Sequence, residues 1–374
     1  MDFTLSDEQK MLVNNVENFV KKDSPISRFR AMRDSETGFS EEVWQHMAEL
    51  GWLGLPIPEA AQGLGLPFID TALVLEQLGK TLVPEPFVPS VVLGGMAIAK
   101  TGSSEQQARF LGPMMEGSSK LALAYAEAAS RYLPNYVETT AQRGPDGYLL
   151  EGRKLWVLSG DSADTLVVSA RTGGKPGDAE GVSLFVVDAN QKDVTRTSLK
   201  TIDGRRAAHV ELAGAQGELL GNEGAALPVL EEVLDLGAAA ACAEGAGLLQ
   251  AVFTMTRDYL EERQQFGSRI GAFQALQHRC VDMFVELELC KSAMLLAALR
   301  AESEDISERK RSISVAKSQL AMGGHFVTRQ AIQLHGGIGV TDEHDVGLYF
   351  KRLNALSVEF GDEAYHLGRL AEAY

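Results

Sequence analysis

A change of period along the chain is the feature that most limits its fold. Up to about residue 115, apolar side chains recur at helical spacing. Ser6-Asp7-Glu8-Gln9 offers a capping residue with Gln9 three positions later, and Met11, Leu12, Val16, Phe19 and Val20 follow on one face. Ser40-Glu41-Glu42-Val43 opens a second such helix, and residues 69–82 resume the period after the glycine- and proline-rich stretches 51–56 and 63–67. From Leu121 to about Leu219 the pattern becomes short β-branched runs, such as Thr165-Leu166-Val167-Val168-Ser169 and Val182-Ser183-Leu184-Phe185-Val186-Val187, separated by turn residues. That spacing predicts a small antiparallel barrel or sandwich. Long Ala/Leu/Glu/Arg-rich segments return in 229–262 and 276–304 and predict a helical bundle. The expected division is therefore 1–117 helical, 118–225 β and 226–374 helical.

Composition narrows the partners. A formal charge of −16 over 374 residues disfavours nucleic acid and anionic membrane surfaces, which need a basic footprint. Cys242, Cys280 and Cys290 lack ligand spacing, so no metal is expected. The start Met1-Asp2-Phe3-Thr4-Leu5-Ser6 lacks a charged region followed by an apolar run, and no stretch reaches about 18 consecutive apolar residues. These readings predict a soluble, cytoplasmic protein.

Three motifs carry chemistry. Arg263-Gln264-Gln265-Phe266-Gly267 is followed by Phe273-Gln274-Ala275-Leu276-Gln277-His278, and later by Gln333-Leu334-His335-Gly336-Gly337-Ile338-Gly339. A guanidinium can bridge pyrophosphate oxygens bidentately, and Gln274 can both donate and accept. Consecutive glycines let backbone approach a ligand closely. Taken singly, Arg263 reads as a solvated arginine at a helix end and the glycines as helix caps. Taken together, the motifs resemble the carboxy-terminal flavin signature of the acyl-CoA dehydrogenases. The resemblance covers essentially the whole chain. It implies an N-terminal helical domain, a middle antiparallel β-barrel domain and a C-terminal four-helix-bundle domain. It also implies FAD, an acyl-CoA substrate and an electron-transferring flavoprotein as electron acceptor. In that family Arg263, Phe266, Gln274, Gln333, Gly336 and Gly337 would hold the adenosine diphosphate half of a flavin seated mainly in a neighbouring subunit. Trp156 resembles the β-domain tryptophan that packs on the isoalloxazine ring, although a β-domain core tryptophan is common.

Against that resemblance stand the losses. The family's flavin-lining Thr-Glu-Pro-Gly-Ala-Gly-Ser-Asp loop falls on Ala126-Glu127-Ala128-Ala129-Ser130-Arg131-Tyr132-Leu133, where only Glu127 matches. The threonine hydroxyl that reaches the flavin becomes Leu158, with Ser159 beside it. Dehydrogenation needs a carboxylate to take the α-proton while hydride leaves the β-carbon. Ungapped counting from Gly336-Gly337 puts Phe360 in that base position. The family's alternative position, on the earlier helix, is Gly237, and the adjacent substrate-binding arginine becomes Ala238. The family's Thr and Gln after the base become Asp362 and Ala364. Glu359 and Asp235 lie near the two empty positions, each facing another side of its element.

Residues that would serve a neighbour are kept, and residues that would serve the same subunit are replaced. The resemblance therefore implies the non-catalytic chain of a heteromeric acyl-CoA dehydrogenase, a heterotetramer with a homologous partner. A self-sufficient homotetramer using Glu359 and a non-enzymatic scaffold on the same fold are the alternatives.

Overall fold

The computed structural model describes residues 4–144 and 147–372. The helices α1 (Asp7–Lys22), α2 (Ile26–Asp34), α3 (Glu41–Glu49), α4 (Phe68–Gly79), α5 (Met96–Thr101) and α6 (Ser104–Met115) come first. Strands β1 (Leu121–Ala124), β2 (Thr140–Gly144), β3 (Gly147–Leu158), β4 (Thr165–Arg171), β5 (Val182–Asp188), β6 (Val194–Lys200) and β7 (Arg206–Leu220) follow. After them come α7 (Leu227–Glu262), the short strands β8 (Gln264–Gln265) and β9 (Ser268–Arg269), α8 (Gln274–Arg300) and α9 (Ile306–His335). Helices α10 (Val346–Val358) and α11 (Glu363–Glu372) complete the order.

Two structural units arise from this order, and neither is a continuous stretch. The first draws on the chain up to Ala31, on Pro67–Val83 and on the chain from Ala238. Ser6 caps α1 with a complete capping box, its hydroxyl accepting from the Gln9 backbone while the Gln9 side chain accepts from the Ser6 N–H. Val16, Phe19 and Val20 of α1 are buried, and Gln9 donates to Asp70 of α4 at 3.0 Å. Helix α9 packs against α8, α10 and α11. Helix α7 is long and apolar enough to cross a membrane, yet most of its apolar window is buried, as in a core helix.

The second unit comprises Met32–Leu66 and Pro84–Gly237. It holds a seven-stranded sheet whose pairings run β4–β2–β3–β7–β5 and return from β5 to β4, with β1 added on β4 and β6 on β7. The sheet is mixed, which corrects the expectation of a purely antiparallel one. Strand β1 pairs β4 in parallel, and β2 meets β4 in parallel at Thr140 and Arg171. The chain between β1 and β4 is long enough, including the β2–β3 hairpin, to make the crossover that parallel neighbours require. Alternating side chains of these strands, among them Leu150, Leu166, Val168, Phe185, Val187 and Val210, build one apolar core.

Candidate functional site

In the first unit, α7 ends where Arg263 begins a tight hairpin. Gln264 pairs with Arg269 and Gln265 with Ser268, leaving Phe266-Gly267 as a two-residue turn. Both turn residues have positive φ, +54° and +79°, which is the type I′ pattern that matches strand twist. Asparagine and glycine usually occupy such turns; a phenylalanine there is strained by about 1–2 kcal/mol. Phe266 is 91% exposed, and its nearest ring neighbour is the Phe273 edge at 6.1 Å. Little inside the chain offsets that strain. The guanidinium of Arg263 and the side-chain amides of Gln274 and Gln333 are all exposed. Among the described residues none of them makes an ion pair or side-chain hydrogen bond.

The Gly336-Gly337 turn closes α9. Gly336 needs its freedom, with φ +64° and ψ −139°. Gly337 does not have positive φ, and a Cβ placed there meets nothing within 4 Å. Among the described residues nothing requires glycine at 337. Exposed backbone, unpaired donors and a cationic side chain, on segments far apart in sequence but linked by the Tyr259–His335 ring contact, suit a pyrophosphate and a purine edge. The residues therefore fit the adenosine diphosphate half of FAD.

The second unit gives a different result. Segment 126–133 folds into consecutive tight turns held by its own groups. The Ser130 hydroxyl accepts from the Glu127 N–H at 2.9 Å, Leu133 N–H donates to Ser130 at 2.8 Å and Leu155 N–H to Ala126 at 2.8 Å. Glu127, the one match to the flavin loop, is occupied structurally. Its carboxylate accepts from Lys154 Nζ at 2.5 Å and from the backbone N–H groups of Glu138 and Thr139 at 2.6 and 3.1 Å. Burial pushes the Lys154 ammonium down to about 8, with Glu127 opposing that shift. Burial raises the Glu127 carboxyl, but Lys154 and the hydrogen bonds outweigh it and hold the group low. A hollow of about 250 Å³ against this segment is lined by Glu127, Ala128, Thr139 and Leu155, among others. It falls below the ~300–1,000 Å³ of common small-molecule clefts.

Trp156 sits at a β-bulge between Lys154 and Val157, with φ +52°, and its 59%-exposed indole meets the His209 ring edge-on at 5.5 Å. Leu158 is half-buried at the end of β3, and Ser159 holds φ +52° while its N–H donates to Arg206 at 3.1 Å.

The segment expected to hold the base, back in the first unit, is fixed by three nitrogen groups. Arg352 donates to both carboxylate oxygens of Glu244 at 2.8 Å and to Glu359 at 2.8 Å. Lys317 Nζ, buried, donates to the Leu356 and Glu359 carbonyls at 2.5 and 2.7 Å, closing the end of α10. Burial pushes that ammonium down to about 8. His366, fully buried, places Nε2 3.1 Å from the Phe360 carbonyl and Nδ1 3.2 Å from the Ser314 hydroxyl. A carbonyl only accepts, so Nε2 carries the proton and Nδ1 accepts from Ser314. Phe360 itself holds φ +59°. Glu359 is thus bound to arginine, Gly237 is buried inside α7 and Asp235 is buried beside it. Sequence reasoning missed Glu244, Lys317, Arg352 and His366. Glu244 left one signal, as the lone carboxylate in the apolar run 238–247. Among the described residues no group of three or more His, Cys, Asp or Glu could hold a metal ion.

Comparison with known proteins agrees along the whole chain. Residues 6–118 match the acyl-CoA dehydrogenase N-terminal domain, 122–214 its middle domain and 224–374 its C-terminal domain. A probable acyl-CoA dehydrogenase of Bacillus subtilis, YngJ, is 28% identical, covering 100% of this chain and 99% of its own. Among solved structures, a Tcur3481–Tcur3483 steroid ACAD variant is 31% identical with a TM-score of 0.87, covering 99% of this chain and 98% of that one. The ChsE4–ChsE5 complex of Mycobacterium tuberculosis is 27% identical with a TM-score of 0.89, covering 100% and 98%.

Proposed function

The chain belongs to the acyl-CoA dehydrogenase family, a family of FAD-dependent oxidoreductases, and from that premise we propose that it is the non-catalytic subunit of a heteromeric enzyme. Its role is to present the adenosine-pyrophosphate grip of Arg263, Phe266, Gln274, Gln333, Gly336 and Gly337 to a flavin seated in a homologous partner. When bound, FAD supplies the hydride acceptor for α,β-dehydrogenation of the acyl-CoA.

One contrast carries the reading. Among the described residues the side chains of Arg263, Gln274 and Gln333 have no partner, whereas Glu127 and Glu359 are consumed by internal ion pairs. A general base must reach the substrate proton, and a carboxylate engaged by Arg352 is poorly placed for that. Two solved relatives named as chain pairs, Tcur3481–Tcur3483 and ChsE4–ChsE5, support a paired assembly, and the first supports a bulky steroid-type acyl group. Exposed Val281, Phe284, Val285 and Leu289 on α8, with Met322 and Phe326 on α9, suit burial against a homologous chain. An electron-transferring flavoprotein would then collect the electrons.

Expression with and without a homologous partner chain tests the assignment. The chain alone should purify with little flavin and negligible dehydrogenase activity, and the pair with about one flavin per two chains. Stoichiometric flavin in the isolated chain, bleached by an acyl-CoA, would instead mark a self-sufficient enzyme using Glu359. Absence of flavin under both conditions would mark a scaffold.

A further inference from the structure

Three rings, Tyr259, His335 and His344, meet behind the segments that carry the grip. Tyr259 stacks on His335 with centroids 4.6 Å apart and planes 29° apart. His335 lies 4.4 Å from His344, and Tyr259 meets His344 edge-on at 6.3 Å. Each ring belongs to a different segment. Tyr259 is in the last turn of α7, and its carbonyl accepts from the Arg263 N–H at 2.8 Å. His335 immediately precedes the Gly336-Gly337 turn. His344 lies in the loop before α10, which Arg30 binds through Asp345 at 2.8 Å and through the Glu343 carbonyl at 3.3 Å.

Hydrogen bonding sets the histidine tautomers. His335 Nδ1 lies 2.8 Å from the Ala331 carbonyl and must donate, leaving Nε2 as a bare lone pair. That Nε2 is buried and has no partner among the described residues. Leaving such an atom unsatisfied is unfavourable, so the position keeps an imidazole for its ring shape rather than for a second hydrogen bond. His344 Nδ1 accepts from the Val346 N–H at 3.2 Å, so its Nε2 carries the proton. Burial lowers the affinity of both rings for a second proton. The neighbouring His344 adds to this at His335, and at His344 Arg30 adds while Asp345 opposes. Two neutral rings can approach at 4.4 Å without charge repulsion.

We infer that Tyr259, His335 and His344 are positioning residues, whose ring stack fixes the hairpin bearing Arg263 against the turn bearing Gly336 and Gly337. The inference rests on the function proposed above. The stack sets the spacing between a cation on one segment and a backbone cradle on another, which a dinucleotide must meet together. A Cβ at Gly339 would meet His335 Cβ at 3.0 Å, so the turn itself is seated on the same histidine.

Flavin release from the assembled two-chain complex, followed by fluorescence on dilution, is the test. His335→Leu should speed release about tenfold, the effect carried by two aromatic pairs of ordinary strength. His335→Phe should restore release to within about threefold of wild type, since the ring returns without the nitrogens. In the double variant Arg263→Ala/His335→Leu, release should be no faster than in Arg263→Ala alone, because the stack acts through Arg263. If His335→Leu does not fold, the half-buried pair Tyr259→Leu and His344→Ala carry the same expectations. Wild-type release in the ring variants, alongside fast release in Arg263→Ala, would overturn this inference and leave the proposed function standing. Additive effects in the double variant would also overturn it. Wild-type release in Arg263→Ala would overturn the grip on which it rests.

Discussion

Among the described residues only seven other than glycine hold a positive φ, namely Gln62, Leu82, Arg131, Trp156, Ser159, Phe266 and Phe360. The last five lie on segments singled out from sequence as flavin- or base-bearing. Strain of this kind persists where something beyond local packing fixes it, and of these five only Trp156 and Phe266 belong to the residues expected to touch the flavin. Arg263 gives the direct test at this scale. Arg263→Ala should cut flavin occupancy of the assembled complex roughly tenfold or more, the ~1.5–3 kcal/mol of a charge-assisted contact. Its melting temperature should hold, because the side chain is exposed and has no partner among the described residues. Flavin absorbance and thermal unfolding of the same samples decide between this and an ordinary surface arginine.

The loop between α10 and α11 is the element on which the proposed non-catalytic role can be tested directly. Lys317, Arg352 and His366 tie down the backbone and side chains around Phe360, and a carboxylate placed at 360 would still sit in a chain whose segment 126–133 does not match the family's flavin-lining loop. Phe360→Glu should therefore yield no dehydrogenase activity in the isolated chain. Glu359→Gln should leave the complex's turnover within about tenfold of wild type, since removal of a true general base costs orders of magnitude. A collapse of turnover with flavin retained would make this the catalytic chain.

His366 gives the same loop a dependence on acidity. Burial, with Lys317 and Arg369 nearby, pushes its imidazole down to about 3. Between about 6.5 and 3 the unfolded chain binds a proton there and the folded chain does not, so stability falls as pH falls through that window. The slope is at most about 1.4 kcal/mol per pH unit from this group. Urea unfolding of wild type and His366→Gln at pH 6.5 and 4.5 should show a smaller loss in the variant.

Much of this was legible in the sequence, and the exceptions have physical reasons. Periodicity located α1, α4, α7 and α8 within a few residues, because each has an apolar face and a cap or breaker. It could not reveal the π-helical turn Val88–Gly95, where Gly94 lies so close to β1 that a Cβ would meet Leu121 at 2.6 Å. Nor could it reveal the parallel β1–β4 pairing, since strand direction leaves no trace in a period of two. The proposed grip residues could be picked out as candidates because their motifs are local. The Glu244–Arg352–Glu359 network was not, because its members are 108 and 7 residues apart and meet only after folding.

At the scale of the whole molecule, the order of the chain differs from the order of its units. The first unit combines the chain up to Ala31 and Pro67–Val83 with everything from Ala238 onward, while the second closes at Gly237. During synthesis, Val16, Phe19 and Val20 of α1 and the apolar residues of α4 emerge long before α8, α9 and α10 exist to complete their unit. At ~5–20 residues per second, that interval is on the order of ten seconds or more. Ribosome-bound chains stopped shortly after Gly237 should therefore recruit holding chaperones through the amino-terminal helices, and crosslinking at Phe19 should fade once α9 has left the exit tunnel. The nascent amino terminus is left waiting for a carboxy terminus that has not yet been made.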